Sequence, residues 1–212
     1  LKIGRRGSWT GRLRVLGAQG HVAYPHKADN PIPRLVAILA ALTARRLDSG
    51  TPYFEPSNLE VTTVDVGNPA TNVIPAAARA TFNIRFNTEQ TAEGLERWIT
   101  DEVTAALAPF KLGHELKFTR GAHPFLTKPG AFTTLIGSAI EMVTGHQPKF
   151  STTGGTSDAR FIQAYCPVAE LGLAGTTMHK TDESARVSDI EMLTQIYHRI
   201  LETYFSSGGV AR

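Results

Sequence analysis

Four short stretches of this 212-residue sequence carry side chains able to do chemistry. The first is Gly20-His21-Val22-Ala23-Tyr24-Pro25-His26, two histidines and a tyrosine in a polar segment. An imidazole here would act as a hydrogen-bond donor or proton carrier, because it changes charge near neutrality; solvated surface is the commoner fate of such a segment. The second, Ala70-Thr71-Asn72-Val73-Ile74-Pro75, offers Asn72 either as a turn cap or as a ligand contact. The third is Arg85, which near Asn72 would clamp a carboxylate by paired hydrogen bonds and otherwise is an exposed sheet residue. The fourth joins Thr153-Gly154-Gly155-Thr156-Ser157-Asp158 with Gly175-Thr176-Thr177-Met178-His179-Lys180. Paired glycines let a backbone approach an anion closely, but no GKS or GKT sequence makes this a P-loop, and plain turns are the usual outcome. His179 follows an apolar run, where functional loops often lie, yet a lone imidazole has no ligand spacing to make it a metal site.

The elements that must position these residues are legible from periodicity. Residues 11–17 alternate Leu13 and Val15 against Arg12 and Arg14, a half-buried strand. From Pro31, Leu35, Ile38, Leu39 and Leu42 recur at helical spacing, with Asn30 as cap and Gly50 beyond the end. Residues 58–66 and 78–86 are strands, the second setting Ala80, Phe82, Ile84 and Phe86 against Arg79, Thr81, Asn83 and Arg85. Thr91 caps a second helix striped by Leu95, Trp98, Ile99, Val103 and Ala106, and Leu116 with Phe118 marks a strand over 114–119. The order β-α-β-β-α-β predicts a ferredoxin-like unit, two helices on one face of a four-stranded antiparallel sheet.

Beyond it the sequence predicts a helix over 129–144 ended by Gly145, a loop at 151–157, a short strand over 166–173 and a final helix. Ser188-Asp189-Ile190-Glu191 reads as that helix's capping box, and Leu193, Ile196, Tyr197, Ile200, Leu201 and Tyr204 as its stripe. Three such elements make no self-contained core, so the fold class expected is α+β: a βαββαβ domain followed by an incomplete α/β portion.

Composition excludes several classes. With 42% hydrophobic and 19% charged residues the chain is globular in type, and its longest apolar stretch, Leu35 to Leu42, is too short to span a bilayer, so no membrane partner is expected. Lys plus Arg exceeds Asp plus Glu by 22 to 19, too small a surplus to indicate nucleic acid. The single cysteine, Cys166, rules out an internal disulfide and paired-cysteine metal motifs, which fits a cytoplasmic location. Leu1-Lys2-Ile3-Gly4-Arg5-Arg6-Gly7 reads as chain already running from one structured region into another, the mark of a fragment.

Taken in order, Ile3-Gly4-Arg5-Arg6-Gly7, Gly20-His21-Val22-Ala23-Tyr24-Pro25, Asn72-Val73-Ile74-Pro75, Gly154-Gly155-Thr156-Ser157-Asp158 and Met178-His179-Lys180 resemble the C-terminal part of the succinyl-diaminopimelate desuccinylases, a branch of the dizinc aminoacylase and carboxypeptidase (M20) family. The resemblance covers essentially the whole chain. It implies a catalytic α/β domain interrupted by a small lid that makes a homodimer, hence residues 1–7 as a connection, 8–119 as the lid and dimerisation domain, and 120–212 as a C-terminal portion of the catalytic domain. The reaction implied is zinc-dependent hydrolysis of N-succinyl-LL-diaminopimelate, a dicarboxylate amide, to succinate and LL-diaminopimelate in lysine and diaminopimelate biosynthesis. The alternatives are an acetylornithine deacetylase or other amidase of the same family and, in a different class, a non-catalytic dimerisation module. Position by position, the resemblance makes His21 the catalytic lid histidine that serves the partner subunit, makes Arg5, Ser8, Tyr24, Asn72, Arg85, Gly155 and Thr156 substrate contacts, and makes His179 a metal ligand. The whole enzyme would hold two zinc ions. The remaining ligands and the general base belong to a preceding segment, so this chain alone is expected to hold no tight zinc and to be inactive.

Overall fold

Alternation along residues 77–86 is borne out atom by atom. In the computed structural model, which describes residues 1–110 and 113–206, Ala78, Ala80, Phe82, Ile84 and Phe86 are all buried on one face of a ten-residue strand. In chain order the elements are β1 (Gly4–Arg5), β2 (Gly7–Leu16), β3 (Gly20–His21), α1 (Pro31–Ala44), β4 (Asn58–Asp65), β5 (Val73–Ile74), β6 (Ala77–Phe86), α2 (Ala92–Leu107), β7 (His114–Ala122), β8 (Phe125–Leu126), α3 (Ala131–Thr144), α4 (Ala159–Ile162) and α5 (Val187–Ser206). They divide into a sheet unit, Arg6–Phe125, and a helical unit formed by Leu1–Arg5 with the chain from Leu126 on.

The sheet unit has the antiparallel strand order β4-β6-β2-β7, the ferredoxin-like arrangement expected from the sequence. Leu35, Ile38, Leu39 and Leu42 of α1 and Leu95, Ile99 and Val103 of α2 join Trp9, Leu13, Val15 and the inner face of β6 in one core. Each fully buried Phe, Ile or Leu contributes roughly 1.5–3 kcal/mol relative to exposure. The Asn30 side chain accepts the Ile32 N–H at 3.1 Å and Thr91 accepts the Gly94 N–H at 3.1 Å, so both expected caps form. The first strand starts at Gly7, four residues earlier than its apolar alternation suggested. Glycine hides this: a Cβ on Gly7 would lie 2.5 Å from the Phe86 ring, and that ring fills the place a side chain would take. In β4 the register shifts between Val61 and Thr63, which explains its irregular pattern.

The helical unit is thinner. α3 packs on α5 through buried Ile136, Ile140 and Ile196. Of the stripe expected on α5, Tyr197 and Leu201 are exposed at 45% and 54%, because α3 covers only one side of the helix. The strand expected over 166–173 does not form; Glu170 instead makes a one-residue antiparallel bridge with Lys2. Leu1–Ile3 runs between Ser151 and Glu170, bonded to each, and so short a central segment supports no longer ladder. α5 begins at Val187 rather than after a Ser188 cap, with the Asp189 and Ile190 amides donating to the Arg186 carbonyl.

Candidate functional site

In the sheet unit two loops meet. β3 pairs with β5, setting Gly20 opposite Ile74 and His21 opposite Val73, and the Val22 amide donates to the Asn72 carbonyl at 3.1 Å. His21 and Asn72, 51 positions apart in sequence, are thereby neighbours, both exposed. The His21 Nδ1 accepts the Ala23 N–H at 3.1 Å. In the neutral ring the proton is therefore on Nε2, which makes Nε2–H a donor pointing away from the backbone. Tyr24 lies beside it, ring centroids 5.9 Å apart, with its own ring flanked by His26 and by the Lys27 ammonium at 5.4 Å. A donor imidazole, a phenol and an amide side chain on one exposed loop pair suit a polar ligand bearing a carbonyl or carboxylate.

A second group lies across the sheet face away from the helices. Register sets Asn58, Arg85, Ser8 and Ala122 in one row over β4, β6, β2 and β7. Arg85 is half-buried there, and Arg6 reaches the same edge through Asn58 Oδ1 at 3.1 Å and the Pro56 carbonyl at 3.3 Å. Arg85 thus belongs with Ser8 and Asn58; among the described residues no contact joins it to Asn72. Next to the ends of β4 and β6, Asp48 Oδ1 accepts from the Gly50 amide (2.8 Å), the Ser57 amide (3.0 Å) and Asn87 Nδ2 (2.8 Å). Partial burial alone would raise this carboxyl, but the hydrogen bonds from Ser57, Gly50 and Asn87 outweigh it and lower the group from 3.8 to about 2.

In the helical unit Arg5 donates through Nε to Glu170 Oε2 at 2.6 Å and through Nη1 to the Thr153 carbonyl at 3.0 Å. Gly155 and Thr156 follow in the same loop, exposed, and a Cβ on Gly155 would meet nothing within 4 Å. His179 is exposed in a tight loop, its amide directed at Glu183 Oε2 at 3.3 Å. Its φ of +61° is one of two positive values at non-glycine residues among those described, the other being Asp182. Such a conformation costs of order 1 kcal/mol or more and tends to persist where a side chain must be aimed. The donor set does not build a metal centre: among the described residues no group of three His, Cys, Asp or Glu side chains converges. His179 is one imidazole, and a dizinc site needs several ligands on each ion.

Lys2, Glu170 and Asp48 escaped the sequence reading. The partners of Lys2 and Glu170 lie 149 to 168 positions away and Asn87 lies 39 positions from Asp48, and nothing local marks a lysine or a carboxylate as the hub of such contacts.

The family model described as the peptidase dimerisation domain matches residues 3–111. Among curated proteins the chain is 58% identical over 210 residues to a succinyl-diaminopimelate desuccinylase of Methylobacterium radiotolerans, covering 97% of this chain and 52% of that one. It is 57% identical over 211 residues to the desuccinylase of Rhodopseudomonas palustris, covering 97% and 53%. The chain spans about half the length of the curated relatives it matches. Among solved structures it resembles the aminopeptidase PepT of Bacillus cereus, with TM-score 0.81, 17% identity, and coverage of 95% and 53%. An M20 family metallo-carboxypeptidase of Sulfolobus solfataricus gives TM-score 0.74 at 13% identity, with coverage of 94% and 59%. These two likenesses are of fold.

Proposed function

The chain belongs to the M20 peptidase dimerisation-domain family, and from that premise we propose that the whole protein hydrolyses N-succinyl-LL-diaminopimelate to succinate and LL-diaminopimelate, as a homodimer joined through the sheet unit. The kinship with desuccinylases supports the substrate, and the observation that carries the chemistry is His21, whose Nδ1 is committed to the Ala23 amide so that Nε2–H faces outward beside Asn72 and Tyr24. In the reaction water adds across the succinyl amide: a C–O bond forms at the acyl carbon, the C–N bond breaks, and the amine leaves with a proton. The steps assigned to this chain are binding and charge stabilisation. His21 donates to the oxygen on which negative charge develops, a role in which one well-placed donor is worth about 10²–10³ in rate. Arg85 and Arg5, as planar guanidiniums, grip the carboxylates that distinguish this amide from simpler ones.

Metal dependence goes with the M20 kinship, and His179 is the ligand we assign to this chain; the rest of a two-zinc site and the general base would come from polypeptide that these residues do not include. The apolar side chains left exposed on α4 and α5, Phe161, Ile162, Val187 and Phe205 among them, support further polypeptide packing there. A cytoplasmic setting fits a chain whose one cysteine, Cys166, is exposed and unpaired. The test is kcat/KM of the full-length zinc protein on N-succinyl-LL-diaminopimelate against N-acetylornithine. A preference for the succinyl substrate by about a hundredfold or more is expected, since a site built to bond a carboxylate rejects an amide lacking it. Preference for acetylornithine, or hydrolysis of neither, overturns the reading.

A further inference from the structure

Lys2 and Glu170 take no part in the reaction proposed above, yet both converge with Arg5 on the loop that leads to Gly155 and Thr156. Lys2 Nζ donates to Ser151 Oγ at 3.0 Å and to Thr153 Oγ1 at 2.6 Å, and those two hydroxyls lie 2.9 Å apart. Glu170 accepts from Arg5 Nε, and Arg5 Nη1 in turn holds the Thr153 carbonyl. The backbone repeats the same convergence. Lys2 and Glu170 exchange amide hydrogen bonds of 2.9 and 2.8 Å, and the Ile3 amide donates to the Ser151 carbonyl at 3.0 Å. Residues 151–153 are thus fixed by the Lys2 and Arg5 side chains and by one backbone bridge at Ser151, immediately before Gly154.

Gly154 shows why the bracing is close. Its φ of +104° suits glycine, and a Cβ there would come within 2.6 Å of Arg5 Nη1, so the guanidinium lies directly against the loop backbone. Arg5 and Glu170 side chains are only 17% and 26% exposed, which keeps their ion pair from being fully screened by water. Two cations and one carboxylate leave the cluster with a surplus positive charge, the sign that receives an anion. The contacts named use Nε and Nη1 of Arg5; among the described residues none engages Nη2, whose N–H groups are left for a ligand.

We propose that Lys2 and Glu170 are positioning residues: together they brace Arg5 and residues 151–153 so that Arg5, Gly155 and Thr156 present one preformed anion-binding edge to a carboxylate of the substrate. This rests on the desuccinylase reading for the identity of the anion, while the brace itself rests on the contacts. Neither residue touches substrate, so their effect falls on binding rather than on the chemical step.

The experiment uses the full-length protein with Glu170→Gln, which removes the charge and keeps the shape, and Lys2→Met, which keeps the stem and removes the donors without touching the Arg5–Glu170 pair. Glu115→Gln, whose partner is Arg14 in the sheet unit, is the control. Amide hydrogen exchange should quicken about tenfold over residues 152–157 in both variants, the factor expected from losing one charge-assisted hydrogen bond, and stay unchanged in α5 and in the control. KM for N-succinyl-LL-diaminopimelate should rise about tenfold with kcat held within about twofold. Unchanged exchange in both variants overturns the brace. Faster exchange with unchanged KM overturns the positioning role. Faster exchange in a protein whose parent hydrolyses no succinyl-diaminopimelate upholds the brace and overturns the desuccinylase reading instead.

Discussion

Asp48→Asn separates the charge of this carboxylate from its shape. Three N–H donors converge on Oδ1 at 2.8–3.0 Å, and Gln90 Nε2 approaches Oδ2 at 3.3 Å while also donating to the Leu47 carbonyl at 2.9 Å. Asparagine can keep the three bonds to its oxygen, but as neutral ones, and it turns an N–H donor toward Gln90. Reorienting Gln90 would set its oxygen against that of Leu47. The lowering from 3.8 to about 2 would correspond to about 2.4 kcal/mol for a fully enclosed group; Asp48 is partly exposed, so about 1 kcal/mol is the appropriate figure. With the Gln90 mismatch the variant should be about 1–2 kcal/mol less stable at pH 7. The folded-state value lies below the unfolded one, so the stabilisation is fully present above about pH 4 and is lost as pH falls toward 2. Urea unfolding followed by tryptophan fluorescence reads the sheet unit specifically, because both tryptophans, Trp9 and Trp98, belong to it. The gap between parent and variant should narrow between pH 4 and 2. A gap below about 0.3 kcal/mol at pH 7, or one that stays constant down to pH 2.5, would refute the reasoning.

The 212-residue chain by itself should retain less than one zinc per subunit after dialysis, since His179 has no converging ligands; metal analysis finding two would contradict this. Arg85→Lys in the full-length protein should cut kcat/KM by about a hundredfold, because lysine keeps the charge and loses the planar fork; a change within a few-fold makes Arg85 an ordinary strand residue. Mixed dimers of His21→Ala with His179→Ala, each inactive alone, should regain one working site if His21 serves the partner subunit, and heterodimers confirmed by mass with no activity would exclude that arrangement. Light scattering should report twice the chain mass, since pairing the exposed edges of a four-stranded sheet across a two-fold axis satisfies backbone groups on both subunits; a monomer at high concentration argues otherwise.

What could be read from residues alone was what short-range physics dictates. The β6 alternation, the α1 and α2 stripes and the Asn30 and Thr91 caps each depend on residues within a few positions, and each stands in the structure. Where glycine replaces a core side chain, as at Gly7 under the Phe86 ring, the apolar pattern vanishes and the strand start is misread. The span 166–173 misled for the opposite reason: it is apolar enough for a strand, but its partner is the short Leu1–Ile3 segment, which no local pattern announces. In the candidate site, His21 and Asn72 were legible as suitable residue types and their proximity was not, because it depends on the β3–β5 pairing. The Lys2 and Glu170 contacts and the Asp48–Asn87 bond are long-range and leave no imprint on sequence periodicity.

The pairing of Ser8 with Ala122 bears on the order in which the chain acquires its structure. Residues 1–5 leave the ribosome before the sheet unit does, but their partners Lys149, Ser151 and Glu170 emerge far later, at separations of 148 to 168 residues. Closing so long a loop in an unstructured chain is entropically costly and slow. Once the sheet forms, Ser8 and Ala122 sit on adjacent strands, and roughly 114 residues drop out of the closure between Lys2 and Ser151, which shrinks to about 35 flexible residues and becomes about 1.3 kcal/mol cheaper. The sheet unit therefore acts as a clasp for the helical unit during synthesis. A substitution that merely delays β2–β7 pairing should slow the assembly of residues it never touches.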